Sequence, residues 1–360
     1  MRALTYAAFG GPIEVAEVPD PAPTPGGAIV KVLASGLCRS DWHGWQGHDR
    51  DIAVFPHVPG HEFAGTVTAV GDGVDPGWLG RVVTAPFVMA CGQCAVCRAG
   101  DGQVCPSQRQ PGFSDPGSFA EFVTVHAAAT NLVALPEGLD PGEAAGLGCR
   151  VATAYRAVVA RAAVAAGETV VVIGCGGVGL AAIAVARGRG ARVCGVDLDP
   201  GSRARALECG AEMVLDGALA EADLVAAVMA WSAGGARVSI DALGSESTCR
   251  TGILALGRRG RHVQVGLMPV VGGSGSGPVN PSAGAVPMDR VIGWELDVLG
   301  CHGMAARDYV PLLEDCRTGR LDLGALRAVG PPLGLAEAAV ALATMGSAPS
   351  RGFVLIDPSR

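Results

Sequence analysis

The chain has no excess of positive charge, no long apolar run and no basic-then-apolar leader, and each absence removes a class of function. Its 27 lysines and arginines are outnumbered by 34 aspartates and glutamates, for a formal net charge of −7. That balance argues against nucleic acid or an anionic membrane surface as a partner. No uninterrupted apolar stretch reaches transmembrane length, and Met1-Arg2-Ala3-Leu4-Thr5-Tyr6 lacks the pattern of a secretory leader. The expected compartment is therefore the cytoplasm, where reducing conditions make clustered cysteines metal ligands more often than disulfides. Charged residues make up 17% of the chain and hydrophobic ones 49%, which excludes disorder as the dominant state. No internal repeat is visible, and 360 residues suffice for two domains with substantial cores.

What is present begins with Cys91, Cys94, Cys97 and Cys105, in the pattern C-x2-C-x2-C-x7-C. Four thiolates so close together can wrap one tetrahedral Zn²⁺. The competing reading is a pair of disulfides. A closed four-sulfur site offers no coordination position to a substrate, so its role is structural. The lobe is expected over roughly residues 88–110.

Residues 1–150 are rich in short strand-like runs broken by proline and glycine, at 28–33, 64–70, 81–84 and 119–125. From Glu168 the pattern changes to strand–helix alternation. Strands are expected at 169–173, 192–196, 212–215, 237–241 and 261–265, with helices at 178–187, 202–208, 219–231 and 247–256 between them. Such alternation implies a parallel sheet with helices on both faces. The last stretch reads helix (308–316), helix (335–345), strand (352–356), and most simply returns to the first domain. Residues 271–287 are glycine, serine, proline and alanine almost throughout, too long for an ordinary connection. They read as a surface loop, or as one bordering a ligand cleft or a subunit contact.

Gly174-Cys175-Gly176-Gly177-Val178-Gly179 follows an apolar strand and opens a helix. In that context a G-x-G-x-x-G turn lets the backbone approach a pyrophosphate, which rests on the positive end of the helix. Asp197 closes the next strand, where a carboxylate accepts hydrogen bonds from an adenosine ribose. Asp199 adds negative charge and no arginine immediately follows Asp197, so NAD is favoured over NADP. Arg203 and Arg205 lie further along.

A second group of reactive side chains lies in the first domain. Cys38-Arg39-Ser40-Asp41-Trp42-His43 packs a thiol, a hydroxyl, a carboxylate and an imidazole into six residues; Pro59-Gly60-His61-Glu62 follows, and Cys149 precedes the second domain. Singly, each has a plain explanation as a buried cysteine, a surface histidine or a capping serine. Together they supply two thiolates and an imidazole, enough for an open zinc site.

With these motifs in hand, the chain resembles the zinc-dependent medium-chain alcohol dehydrogenases of the medium-chain dehydrogenase/reductase superfamily, and the resemblance covers essentially its whole length. It implies an α/β protein. A GroES-like, β-rich catalytic domain would span 1–151 and 298–360, and a Rossmann doubly wound parallel-sheet domain 152–297. By this resemblance Cys38, His61 and Cys149 hold a catalytic zinc, and the 91–105 lobe a structural one. Glu62 sits behind the metal as an alternating or supporting carboxylate, and Asp41 orients the His61 ring. Ser40 takes the alcohol's proton and passes it through the nicotinamide ribose to His43. Arg39 and Arg351 clamp the cofactor pyrophosphate, while Val178 and Thr153 press on the nicotinamide or line the zinc pocket. Phe87 and Phe119 are expected as aromatic pocket walls, with Trp42 and Trp45 in the same region as the relay.

The implied activity is NAD-dependent interconversion of primary or secondary alcohols, apolar or aromatic, with aldehydes or ketones. The segment between Cys105 and His126 lacks the longer insertion of the dimeric animal and plant enzymes, which favours a homotetramer over a dimer. The 271–287 stretch exceeds the family norm. Cys175, Cys194, Cys209, Cys249, Cys301 and Cys316 match no ligand position. Two other readings stand beside this one: reduction of a conjugated alkene or imine on the same scaffold, and a non-enzymatic zinc- and NAD-binding sensor.

Overall fold

The computed structural model describes residues 1–268, 286–328, 330–347 and 352–360. The chain divides into two compact units, Met1–Ala152 with Gly303–Arg360, and Thr153–His302.

In the first unit the runs of valine and alanine form an antiparallel sheet. Ala28–Leu37 lies near its centre, pairing with Phe63–Val70, with Phe122–Val125 and with Val354–Ile356. Phe63–Val70 pairs onward to Val82–Thr84, which pairs with Val133–Ala134. Alternate side chains point inward, so Val30, Val32, Phe63, Val67, Val83 and Val123 share one core. Each such side chain, fully buried, contributes about 1.5–3 kcal/mol. The C-terminal strand pairs with Ala28–Leu37, so the chain does return to its first unit. A hairpin of Arg2–Tyr6 and Ile13–Glu17, not evident from the alternation pattern, brings Leu4 against Leu335 and Leu342 of the Leu335–Thr344 helix.

The second unit is a six-stranded sheet in which every neighbouring pair is parallel. In space its strands run Met213–Asp216, Arg192–Asp197, Thr169–Ile173, Ala236–Asp241, Leu256–Gln264 and Asp297–Gly300. Numbered along the chain this is the order 3-2-1-4-5-6 of dinucleotide-binding sheets. Thr169–Ile173 is buried at every position, as a strand covered on both faces requires, and its β-branched residues suit that role. Pro200–Glu208 starts where Asp199 accepts the Ser202 amide and Pro200 occupies the first turn.

The sixth strand, Asp297–Gly300, corrects the expected boundary at 297, because it pairs with Leu256–Gln264 and carries the second unit to His302. Four residues (Asp-Val-Leu-Gly), exposed except for the half-buried Leu299, show no alternation from which to read a strand. The 271–287 stretch lies, except for its last two residues, outside the described residues. Among the described residues no helix is long and apolar enough to cross a membrane.

Candidate active site and zinc centres

The cysteine lobe is held at its root by Asn131, whose amide accepts from the Ala90 N–H and donates to the Ala90 and His126 carbonyls. Within it the sulfurs of Cys91, Cys94, Cys97 and Cys105 approach one another at 3.4 to 3.9 Å. A disulfide would need about 2.05 Å, and all twelve cysteines are free. A tetrahedral zinc with Zn–S bonds of about 2.3 Å sets its sulfurs about 3.8 Å apart, so the lobe fits the ion. Backbone N–H groups of Gln93 and Cys94 hold the Cys91 thiol down, to about 6, whereas burial and the neighbouring cysteines push the Cys97 thiol up. A Cys94→Ser variant is expected to lower zinc content from about two ions per chain to about one and to reduce thermal stability. Metal analysis beside a melting curve checks this, and unchanged zinc content would refute it.

The second cluster assembles Cys38, His61, Glu62 and Cys149, with one ligand atom from each lying within 4.8 Å of the others. Three separate segments supply them, and Asp41 ties two together. Its Oδ2 accepts the Cys38 N–H at 2.9 Å, while Oδ1 accepts the Gly60 N–H at 3.2 Å and the His61 Nδ1–H at 2.8 Å. With its proton on Nδ1, His61 presents a lone pair at Nε2. That atom is buried and has no hydrogen-bond partner among the described residues, an arrangement costly for an imidazole unless a metal takes the lone pair. The hydrogen bond from Cys149 holds the Cys38 thiol well below its ordinary value against the effect of burial, and His61 adds to it. Two thiolates and an imidazole leave a fourth position open, the donor set of a catalytic zinc.

Glu62 does not point a free oxygen at this centre. The Arg150 backbone N–H donates to its Oε1 at 2.6 Å, and the guanidinium meets its Oε2 at 2.7 and 2.5 Å. Burial pushes the Glu62 carboxyl up to about 7 while Arg150 pulls the other way. The pair fits because residue 36 is glycine: a Cβ there would lie 2.4 Å from Glu62 Oε2 and 2.6 Å from an Arg150 nitrogen. Phe353 lies under the guanidinium, 4.0 Å from ring centroid to Cζ. Sequence reasoning missed Arg150, and its only signal was adjacency to Cys149.

Ser40 and His43 share the short helix Arg39–Trp45. Ser40 Oγ lies 3.8 Å from the Cys38 sulfur. Burial, followed by the charges of His48 and Arg39, keeps the His43 pKa below its ordinary value, so its ring is a neutral base at pH 7. Arg39 donates to the Met345 carbonyl at 2.6 Å and lies over the Trp42 ring. Trp42 packs against the Leu335–Thr344 helix, and Trp45 donates to the Gly11 carbonyl. Phe87 stands edge-on to His61 with centroids 6.1 Å apart. Phe119 is a correction: it is fully buried among Leu4, Leu37 and Leu335, a core side chain rather than an open wall. Phe113, unanticipated, lies closer to His61 than Phe87 does, at 5.2 Å.

In the second unit Gly174 adopts φ +88° and Gly176 precedes the helix Gly177–Gly188. A Cβ on Gly179 would lie 1.8 Å from the Gly174 carbonyl oxygen, so the turn admits no larger residue there. Val178 is half-buried at the second position of that helix. Asp197 ties the turn to the next strand, accepting the Cys175 N–H at 2.7 Å and the Asp199 N–H at 2.8 Å. Arg203 is engaged with the Asp197 and Leu198 carbonyls and with Asp216 at 3.3 Å. Thr153 opens this unit, with its hydroxyl buried and without a partner among the described residues. Arg351 lies outside the described residues.

A dinucleotide-binding sheet and a zinc site with one open position define a nicotinamide- and zinc-dependent oxidoreductase. Comparison with known proteins agrees. Residues 24–137 match the alcohol dehydrogenase GroES-like domain, and residues 177–317 the zinc-binding dehydrogenase family. An alcohol dehydrogenase of Moraxella sp. (strain TAE123) is 36% identical over 217 residues, 60% of this chain and 63% of that relative's length. The NAD-dependent alcohol dehydrogenase of Sulfurisphaera tokodaii is 33% identical over 74% of this chain and 78% of its own. A solved structure of an alcohol dehydrogenase from Thermus sp. ATN1 superimposes with a TM-score of 0.83 at 29% identity, covering 99% of both chains. The chain belongs to the zinc-containing medium-chain alcohol dehydrogenase family.

Proposed function

We propose that the protein interconverts primary or secondary alcohols, apolar or aromatic, with their aldehydes or ketones, using NAD. The observation that carries this reading is the His61 Nε2, buried, without a hydrogen-bond partner among the described residues, and grouped with the Cys38 and Cys149 sulfurs. Cys38, His61 and Cys149 would hold the catalytic zinc. When bound, it supplies the Lewis acidity that eases loss of the alcohol's proton and, in reverse, polarises the carbonyl. Asp41 holds the His61 ring in the ligating tautomer. Ser40 receives the alcohol's proton and His43 passes it outward; three residues apart on one helix, they share a face.

Two features favour an apolar substrate. Phe87 and Phe113 set aromatic rings beside His61, and the adjacent charges of Glu62 and Arg150 neutralise each other. NAD is favoured over NADP because Asp197 and Asp199 repel a 2′-phosphate while Arg203 is occupied with Asp216. A panel of aliphatic and aromatic alcohols, aldehydes and ketones, run with NAD and with NADP, tests this. We expect NADH formation with apolar alcohols and at least tenfold lower kcat/KM with NADP. No turnover of any alcohol, with reduction of conjugated alkenes or imines instead, would overturn the reading.

A further inference from the structure

The polar path that ends at His43 continues by one more imidazole. His43 Nδ1 lies 2.9 Å from Nδ1 of His48, an exposed residue just past the end of the Arg39–Trp45 helix. The contact is built into the backbone. The His48 N–H donates to the His43 carbonyl at 3.0 Å and the Gly47 N–H to the Gly44 carbonyl at 2.9 Å. Gly47 turns the chain with φ +79°, and the Phe9 ring lies where a Cβ would stand, 2.9 Å away. Any larger residue there would meet both strain and a clash. The Trp42 ring meets His43 and His48 edge-on, with centroids 5.0 and 5.9 Å apart. The two imidazoles are thus held nitrogen to nitrogen, one Nδ1 donating and the other accepting. This leaves the Nε2 atom of each ring for exchange.

We propose that His48 is the outer station of the proton path in alcohol oxidation. A proton accepted at His43 Nε2 releases the His43 Nδ1 proton to His48 Nδ1, and His48 gives up its own Nε2 proton to water or buffer. One proton enters, one leaves, and no electrons move; carbonyl reduction runs the same steps backward. The charged and titratable groups facing His43 are His48, Arg39 and Cys38. His43 is half-buried, so an exposed second imidazole gives its proton a route to bulk water. The inference rests on the Ser40–His43 reading, and on nothing in the zinc centre itself.

The test is stopped-flow oxidation of an alcohol by the zinc-loaded enzyme at pH 6 in dilute buffer, with NADH formation and proton release to an indicator dye followed together. In His48→Gln, proton release is expected to slow about tenfold, with recovery in concentrated imidazole buffer and an unchanged melting temperature. His43→Gln should slow at least as much. If His43→Gln is slow but His48→Gln releases protons at the parent rate, His48 is not a station and the inner relay stands. If neither variant slows, the Ser40–His43 reading itself fails. Slowing of His48→Gln that imidazole does not relieve would mark a structural role for His48 and overturn the proposal.

Discussion

Replacing Ser40 by alanine is expected to lower kcat for alcohol oxidation by about 10² to 10⁴-fold, the usual range for one positioned proton-transfer group. Hydride leaves a carbinol carbon readily only as its oxygen loses the proton, and that proton must go to a nearby acceptor. Ser40 Oγ is 3.8 Å from the sulfur of Cys38, a proposed zinc ligand, and shares a helix with His43. Beyond the Cys38 sulfur the hydroxyl makes no hydrogen bond among the described residues, so zinc content, NADH binding and melting temperature should match the parent. Ser40→Thr retains the hydroxyl and should recover most of the rate. Transient kinetics of NADH formation distinguish this loss from slowed product release. Parent-like rates in Ser40→Ala across every alcohol oxidised would refute the assignment.

Arg150→Met is expected to cost about 3–5 kcal/mol, because it strands a buried carboxylate. Glu62 is fully buried and meets the Arg150 guanidinium at 2.7 and 2.5 Å, while the backbone N–H contact at 2.6 Å survives the substitution. Neither group reaches water, so removing Arg150 leaves Glu62 either charged without compensation or forced to take up a proton, beside the Cys38, His61 and Cys149 cluster. An apparent melting temperature lower by roughly 10 °C follows for a chain of this size. The double variant Arg150→Met/Glu62→Met removes both charges and should recover much of the loss, since replacing a whole buried pair by apolar groups is often neutral. Recovery in the double variant carries the argument. If it melts as low as Arg150→Met alone, the damage comes from lost packing on Phe353 rather than from the stranded charge. A chelator challenge adds an independent reading: a Glu62 released from Arg150 can approach the zinc, so the rate of zinc loss should change in the single variant and not in the double.

The signals legible in the chain were those whose partners are close in sequence. The 91–105 lobe is one short segment, and its four sulfurs meet without help from distant strands. Gly174 to Gly179 form one turn, and a Cβ at Gly179 would strike Gly174, five residues earlier. Strand–helix alternation after Glu168 was readable because parallel strands buried on both faces are continuous apolar runs, as Thr169–Ile173 is. The hairpin at Arg2–Tyr6 and Ile13–Glu17 was not, since the outer strand is largely exposed and lacks a buried alternate face.

The site divides in the same way. Cys38, Ser40, Asp41 and His43 announce themselves as a run of reactive side chains, and His61 and Cys149 complete a known ligand set only by family resemblance. Composition and spacing by themselves determined a two-part α/β chain, a sulfur lobe suited to zinc and a dinucleotide turn. Tertiary structure alone decided that Glu62 is bound to Arg150, that Phe113 approaches His61 while Phe119 is core, and that His48 meets His43. The physical reason is range. A tight turn or a four-thiolate lobe is specified by steric and chemical limits within a few residues. A buried ion pair between residues 62 and 150 exists only because Gly36 leaves room for it and because the strand from Phe63 to Val70 and the segment after Cys149 arrive at the same place.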